Sequence, residues 1–207
     1  KLMINNLEEF SMYKIDTYFL MPRRVVDVLF HKKLNSNYSG NFHKDFPECC
    51  YVHISDAVKV KELIKTKDLE PRNVECCIVI KNSDETLLGF GTDGLDFWND
   101  ILYSLQNLLT NSVSDRILGI DYLSLRIEIK DNKTLEWKIY NESEDLPNQI
   151  YYSATVDSIS FIQAIVTAGK DYYETMHTYF PEELHFKEKK EMLQEIGEQL
   201  QELWKAK

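Results

Sequence analysis

The chain has 207 residues, and its 12 Tyr, 10 Phe and 3 Trp exclude a disordered polymer, because they supply the apolar area that offsets chain entropy. With 24 Lys+Arg against 34 Asp+Glu the formal charge is −10, which repels nucleic-acid backbones and anionic membrane surfaces and suits either plain solubility or a basic protein partner. No run reaches the ~20 apolar residues of a membrane span, and the opening residues, with Glu8 and Glu9, do not read as a signal peptide.

In chain order, the alternation of Ile15, Thr17, Phe19 and Met21 predicts a strand. Pro22 suits a first helical residue, and Val25, Val26, Leu29, Phe30 and Leu34 follow at helical spacing. Residues 35–47 are rich in turn formers and read as a loop. Residues 49–55 read as a strand, and Ser55 or Asp56 caps a short helix over 57–67 with Ala57, Val60 and Ile64 on its apolar face. Residues 74–81 and 86–92, around a turn at 82–85, read as a hairpin. Asp93 or Asp96 then caps the clearest helix, in which Phe97, Trp98, Ile101, Leu102, Leu105, Leu108 and Leu109 form one apolar stripe. Residues 111–115 end it.

Strands over 120–130, 134–140 and 150–156, joined by a tight turn at 131–133 and a polar loop at 141–149, read as an antiparallel meander. Leu135, Trp137 and Ile139 share one face of it. Asp157 or Ser158 caps a helix whose buried side holds Ile159, Ile162, Ile165, Val166, Tyr173 and Met176. Gly169 costs that helix about 1 kcal/mol against Ala, which implies a close packing contact. Pro181 opens a last helix to about residue 205, charged at first and then carrying Leu193, Ile196, Leu200, Leu203 and Trp204. This order predicts an α+β fold: an antiparallel sheet, made of a hairpin plus a three-stranded meander, with helices packed mainly on one face. A single domain over 1–207 is expected, with 182–207 peripheral or at an interface between subunits.

Four cysteines fall in two adjacent pairs, Cys49-Cys50 and Cys76-Cys77. On strands, adjacent residues diverge, so one thiol of each pair is expected to face the core, and a four-thiolate zinc site is disfavoured. Reduced thiols and a cytoplasmic setting follow as expectations. The glycines at 89, 91 and 94 match a dinucleotide-loop spacing. Asp93 and Asp96 place negative charge where a phosphate would sit, and the flanking strand belongs to an antiparallel hairpin, so a turn before a capped helix explains them better. Asp93, Asp96 and Asp100 crowd one side of that helix start without the ligand pattern of a calcium loop. An alternative enzyme reading would use His53 with Cys49 and Cys50, or the helix start at Asp93. No metal or cofactor is expected from these spacings.

The helix holding Trp98, the meander and the helix after Asp157 resemble, in layout, size and acidity over residues 74–180, small bacterial immunity proteins of polymorphic-toxin systems. The 19 Lys against 5 Arg agree with a bacterial origin. The resemblance implies a non-enzymatic protein that holds a basic toxin domain. The residues expected to make such a face are Asp93, Asp96, Asp100, Glu142, Glu144, Asp145, Tyr151 and Tyr152, with Tyr172, Tyr173 and Tyr179 adding to the tyrosine supply. The remaining reading is a homo-oligomer paired through Leu193, Ile196, Leu200 and Leu203 of the last helix.

Overall fold

Cys76, Cys77, Ile78, Val79 and Ile80 are all buried, because the strand that carries them is covered on both faces. In the computed structural model, which describes residues 12–34, 37–118, 123–142 and 149–205, the first part of the chain supplies strand β1 (Tyr13–Leu20) and helices α1 (Arg23–Lys33), α2 (Phe42–Asp45) and α3 (Pro47–Cys50). Strand β2 (Tyr51–His53), helix α4 (Ala57–Lys65) and strands β3 (Glu75–Asn82), β4 (Glu85–Leu88) and β5 (Asp93–Leu95) follow. The second part supplies α5 (Phe97–Leu108), β6 (Val113–Ile117), β7 (Leu123–Ile129), β8 (Thr134–Asn141), β9 (Ile150–Asp157), α6 (Ser158–Tyr179) and α7 (His185–Lys205).

The fold is α+β, and every strand pairing is antiparallel. One sheet has the order β2-β1-β3-β4, with β5 also paired to β3; the other has the order β6-β7-β8-β9. Cys76, Ile78 and Ile80 face the main core, which α4, α5, α6 and α7 share. Cys77 and Val79 face a second, smaller core closed by Val26 of α1, Phe42 of α2 and Cys49 and Cys50 of α3. An uninterrupted apolar run is the signature of such a two-sided strand.

Aromatic contacts tie the layers together. Phe161 of α6 meets Tyr13 of β1 at 5.1 Å and Trp137 of β8 at 5.4 Å between ring centroids. Trp98 of α5 donates its indole N–H to Thr17 of β1 at 3.0 Å and stacks on Tyr172 of α6. Burying one such side chain stabilises the fold by about 1.5–3 kcal/mol. Asp157 caps α6 as expected, accepting from the Ser160 N–H at 2.8 Å.

Several expectations change. The loop expected at 35–47 contains α2, capped by Asn41, whose side chain accepts from the Lys44 N–H at 3.1 Å. Cys49 and Cys50 lie in α3, begun by Pro47, and not in a strand. All four thiols are buried instead of one from each pair. Residues 111–115 are expected to end the helix that is α5; strand β6 occupies 113–117 instead, so the meander has four strands. Leu63, not Ile64, is the buried partner of Val60 in α4, and Ala57 is exposed.

Helix α7 begins at His185, four residues after Pro181. Its Leu193, Ile196, Leu200 and Trp204 are buried in the main core, and only Leu203 of the stripe is exposed. That stripe is therefore spent within its own chain, which removes it as the surface for subunit pairing. No helix among the described residues is long and apolar enough to cross a membrane.

Candidate functional site

The three aspartates expected together are placed in three different settings. Asp93 lies in β5 and caps nothing; its Oδ1 accepts the Tyr51 hydroxyl at 2.6 Å and stands 3.5 Å from His43 Nδ1. The Gly91 N–H donates to the same Tyr51 oxygen at 3.2 Å. Asp96 holds the residue before α5 in a left-handed conformation (φ 54°) and makes no side-chain cap bond. The backbone N–H groups of Phe97 and Trp98 oppose the effect of burial on the Cys76 thiol. Burial pushes the Asp96 carboxyl up, against the opposing charges of Lys189 and His185. Asp100 accepts from Arg116 Nε at 2.9 Å. The spacing that would align these carboxylates on one helix face fails because Asp93 is in a strand.

The tyrosines separate as well. Tyr172 and Tyr173 are core residues, and the Tyr173 hydroxyl donates to Asn99 Oδ1 at 3.0 Å. Tyr152 is half-buried where the two sheets meet, so close that a side chain at Gly89 would stand 2.8 Å from its hydroxyl. Tyr151 is exposed, and its hydroxyl accepts from Asn141 Nδ2 at 3.3 Å. Glu144 and Asp145 lie outside the described residues.

The histidine–cysteine pairing does not form. His53 Nδ1 is 2.6 Å from Ser55 Oγ and its Nε2 is 3.5 Å from Asp16. The Cys50 thiol faces the Phe42 carbonyl at 3.9 Å and Cys49 faces Glu48 at 3.6 Å. Burial pushes the Cys50 thiol up to about 11 and Cys76 up to about 12, far above the range of a nucleophilic thiolate at neutral pH. Among the described residues no three His, Cys, Asp or Glu side chains converge as metal ligands.

The open face of the second sheet carries a different constellation. Its inner face holds Leu125, Ile127, Leu135, Trp137 and Ile139; no helix among the described residues covers its outer face. Register places Ile117, Ser124, Tyr140 and Ile150 in one row across all four strands. The bulge between Ile139 and Tyr140 shifts β9 by one residue and so brings Ile150 beside Tyr140. Ile117 is 56% and Ile150 53% exposed, while Tyr140 between them is 7% exposed. Ser124, under the same row, is buried with its hydroxyl unpartnered.

The Tyr140 hydroxyl lies 2.7 Å from Asp115 Oδ1 and 2.8 Å from Glu142 Oε1. It has one proton, so it donates to one carboxylate at a time and leaves the other short of a donor. Burial, with these two carboxylates, pushes the phenol far up, so it stays protonated. Arg126 Nη1 reaches Asp115 only at 3.4 Å, because its other nitrogen is held by Glu128 at 3.1 Å. Lys130 is 2.9 Å from both Glu128 and Glu136. Arg126 thus gives Asp115 only a long contact, and Lys138 stands over the Tyr140 ring at 5.1 Å from its centroid.

Of this group the sequence pointed to Glu142 and neighbouring Tyr151; Asp115, Ile117, Tyr140 and Ile150 were missed. The available signal was Ile150, a β-branched residue on the polar side of an alternating strand. No protein-family model, no curated protein and no solved structure matches this chain.

Proposed function

We propose that this chain is a non-enzymatic protein-binding module that takes a basic partner on the outer face of the β6–β9 sheet. The observation that carries this reading is the row Ile117–Tyr140–Ile150, two exposed aliphatic side chains flanking a phenol that holds two carboxylates with one proton. A Lys or Arg side chain arriving between Asp115 and Glu142 supplies a shorter, charged donor than the long Arg126 contact, and the isoleucines supply apolar area. The net charge of −10 steers a cationic partner toward the chain and makes the encounter salt-dependent.

The finer reading is that the partner is a toxin domain and the chain its immunity protein. Acidity, the helix–meander–helix layout and the lysine-rich composition support it. The test is capture from the source cells at low and high salt, followed by reconstitution from purified components. A single basic protein that binds the wild type, weakens with salt, and is lost with Ile117→Lys/Ile150→Lys is the expected result. Recovery of no basic protein at either salt concentration, or unchanged binding by the double variant, overturns the proposal. Co-expression with the captured partner then separates the immunity reading: relief of growth arrest supports it, and a harmless partner contradicts it.

A further inference from the structure

A second cluster lies where α2 meets the loop before β5. Asn41 and Lys44 pack so tightly on Gly91 that a side chain there would come within 3.1 Å and 3.3 Å of them, and Gly91 has a positive φ of 83° that favours glycine in any case. His43, on the same short helix, places Nδ1 3.3 Å from the Tyr51 hydroxyl and 3.5 Å from Asp93. The Tyr51 proton is committed to Asp93 at 2.6 Å and its oxygen already receives the Gly91 N–H. His43 is the member of this charged seam that α2 supplies; Tyr51 and Asp93 come from β2 and β5. In the small core that Phe42 of the same helix enters, Cys50 is fully buried with its sulfur against the carbonyl of Phe42.

We propose that the segment carrying α2 is a pH-sensitive flap over Cys50, latched by the ion pair of His43 with Asp93 and released when His43 loses its proton. Phe42 packs its ring on Phe30 of α1 and its carbonyl on the Cys50 sulfur, so exposing Cys50 lifts Phe42 from both in a local opening, not unfolding. The charged groups around the latch are Asp93 from β5, Tyr51 from β2, and Lys44 and Asp45 from α2 itself. Asp45 is engaged by the Tyr38 hydroxyl at 2.6 Å, and Tyr51 stays a phenol because burial and Asp93 push it far up. That leaves His43 as the group that titrates near neutrality. Asp93 raises it above its ordinary value, against a smaller opposing effect of burial. The sign follows: the latch is fully present below the ordinary histidine range and is lost as pH rises through the raised value.

The experiment is alkylation of the native protein by a small maleimide from pH 6 to 9, with each cysteine resolved by peptide mass spectrometry. Each rate is divided by that of the same cysteine in denatured chain, which cancels the intrinsic thiolate dependence. Cys76 sits on the opposite face of the same core sheet and reports global unfolding. Protection of Cys50 is expected to fall by roughly two- to fivefold across this range, the factor a half-exposed ion pair supplies, while protection of Cys76 stays constant. In His43→Gln, Cys50 is expected to show the low, alkaline level of protection at every pH. Protection of wild-type Cys50 that does not change with pH, or that falls in step with Cys76, overturns the proposal, as does a pH dependence that survives in His43→Gln.

Discussion

The indole N–H of Trp137 donates to the backbone carbonyl of Leu87 at 3.0 Å, and this buried bond joins the two sheets. Trp137 is on β8 and Leu87 on β4, strands that are not paired with each other. Trp137→Phe keeps a ring against Phe161 but leaves the Leu87 carbonyl without its donor and opens a void. The expected loss is about 2–4 kcal/mol, measured by denaturant unfolding. A loss below about 0.5 kcal/mol, the usual range of a surface change, would show that the sheets are joined by other contacts.

Gly169 sets two effects against each other. Alanine there gains about 1 kcal/mol of helix propensity. Its Cβ would stand 2.5 Å from Leu193 Cδ2 and 2.9 Å from Trp98 Cζ3, both in the packed core, and overpacking of this kind costs about 1–3 kcal/mol. Leucine can turn aside; the indole, held by Thr17, cannot. Gly169→Ala is therefore expected to lower the unfolding midpoint, and a raised midpoint would mean that α6 and α7 separate at little cost.

Asp68 is clamped by both terminal nitrogens of Arg24, at 2.6 and 2.5 Å, and by the Thr66 hydroxyl at 2.6 Å. Arg24, followed by Thr66, holds its carboxyl down at about 2. Because the folded value is depressed, the stabilisation is present above the unfolded value of about 3.9 and is lost as pH falls toward 2. Water around Arg24 keeps the effect small. The stability gap between wild type and Arg24→Ala should close between pH 4 and pH 2, and carbon NMR of the Asp68 carboxyl should titrate near its ordinary range in the variant. A gap that persists at pH 2 would place the stabilisation outside this pair.

Asp157 caps α6 through Oδ1, which accepts both the N–H and the hydroxyl of Ser160 at 2.8 and 2.7 Å. Asp157→Ala should cost about 1 kcal/mol and loosen the amides of the first turn in hydrogen exchange. Asp157→Asn, which can still accept, should recover most of the loss.

The parts of the fold legible in sequence were those in which side-chain period and burial agree. The stripe from Phe97 to Leu108 and the alternation of Leu135, Trp137 and Ile139 each face one core, and all are buried. Strand β6 was missed because its inner-face positions are Ser114, buried, and Arg116, exposed and paired with Asp100, where apolar residues would be expected. Strand β5 is three residues long and contains Gly94, so its pairing with Glu75–Cys77 depends on the partner and not on local preference. Cys76 and Cys77 read as one core-facing and one solvent-facing thiol only if the sheet has a single cover, and α1–α3 supply a second.

The candidate row was illegible for a further reason. Ile117, Tyr140 and Ile150 come from three strands, and a single bulge decides whether Ile150 or Tyr151 stands beside Tyr140. The acidity of 141–145 was visible, but the hydroxyl that gathers Asp115 and Glu142 was not.

The central claim is that the outer face of the second sheet is the docking surface, and a matched comparison of variants tests it most directly. Ile117→Lys/Ile150→Lys places cations on the row, while Val58→Lys alters a large apolar side chain that is 79% exposed on α4, far along the chain from that face. Titration calorimetry with the captured partner should show affinity reduced at least about tenfold, or 1.4 kcal/mol, in the row variant and unchanged in Val58→Lys. Equal affinity in all three proteins, or a loss confined to Val58→Lys, would contradict the account.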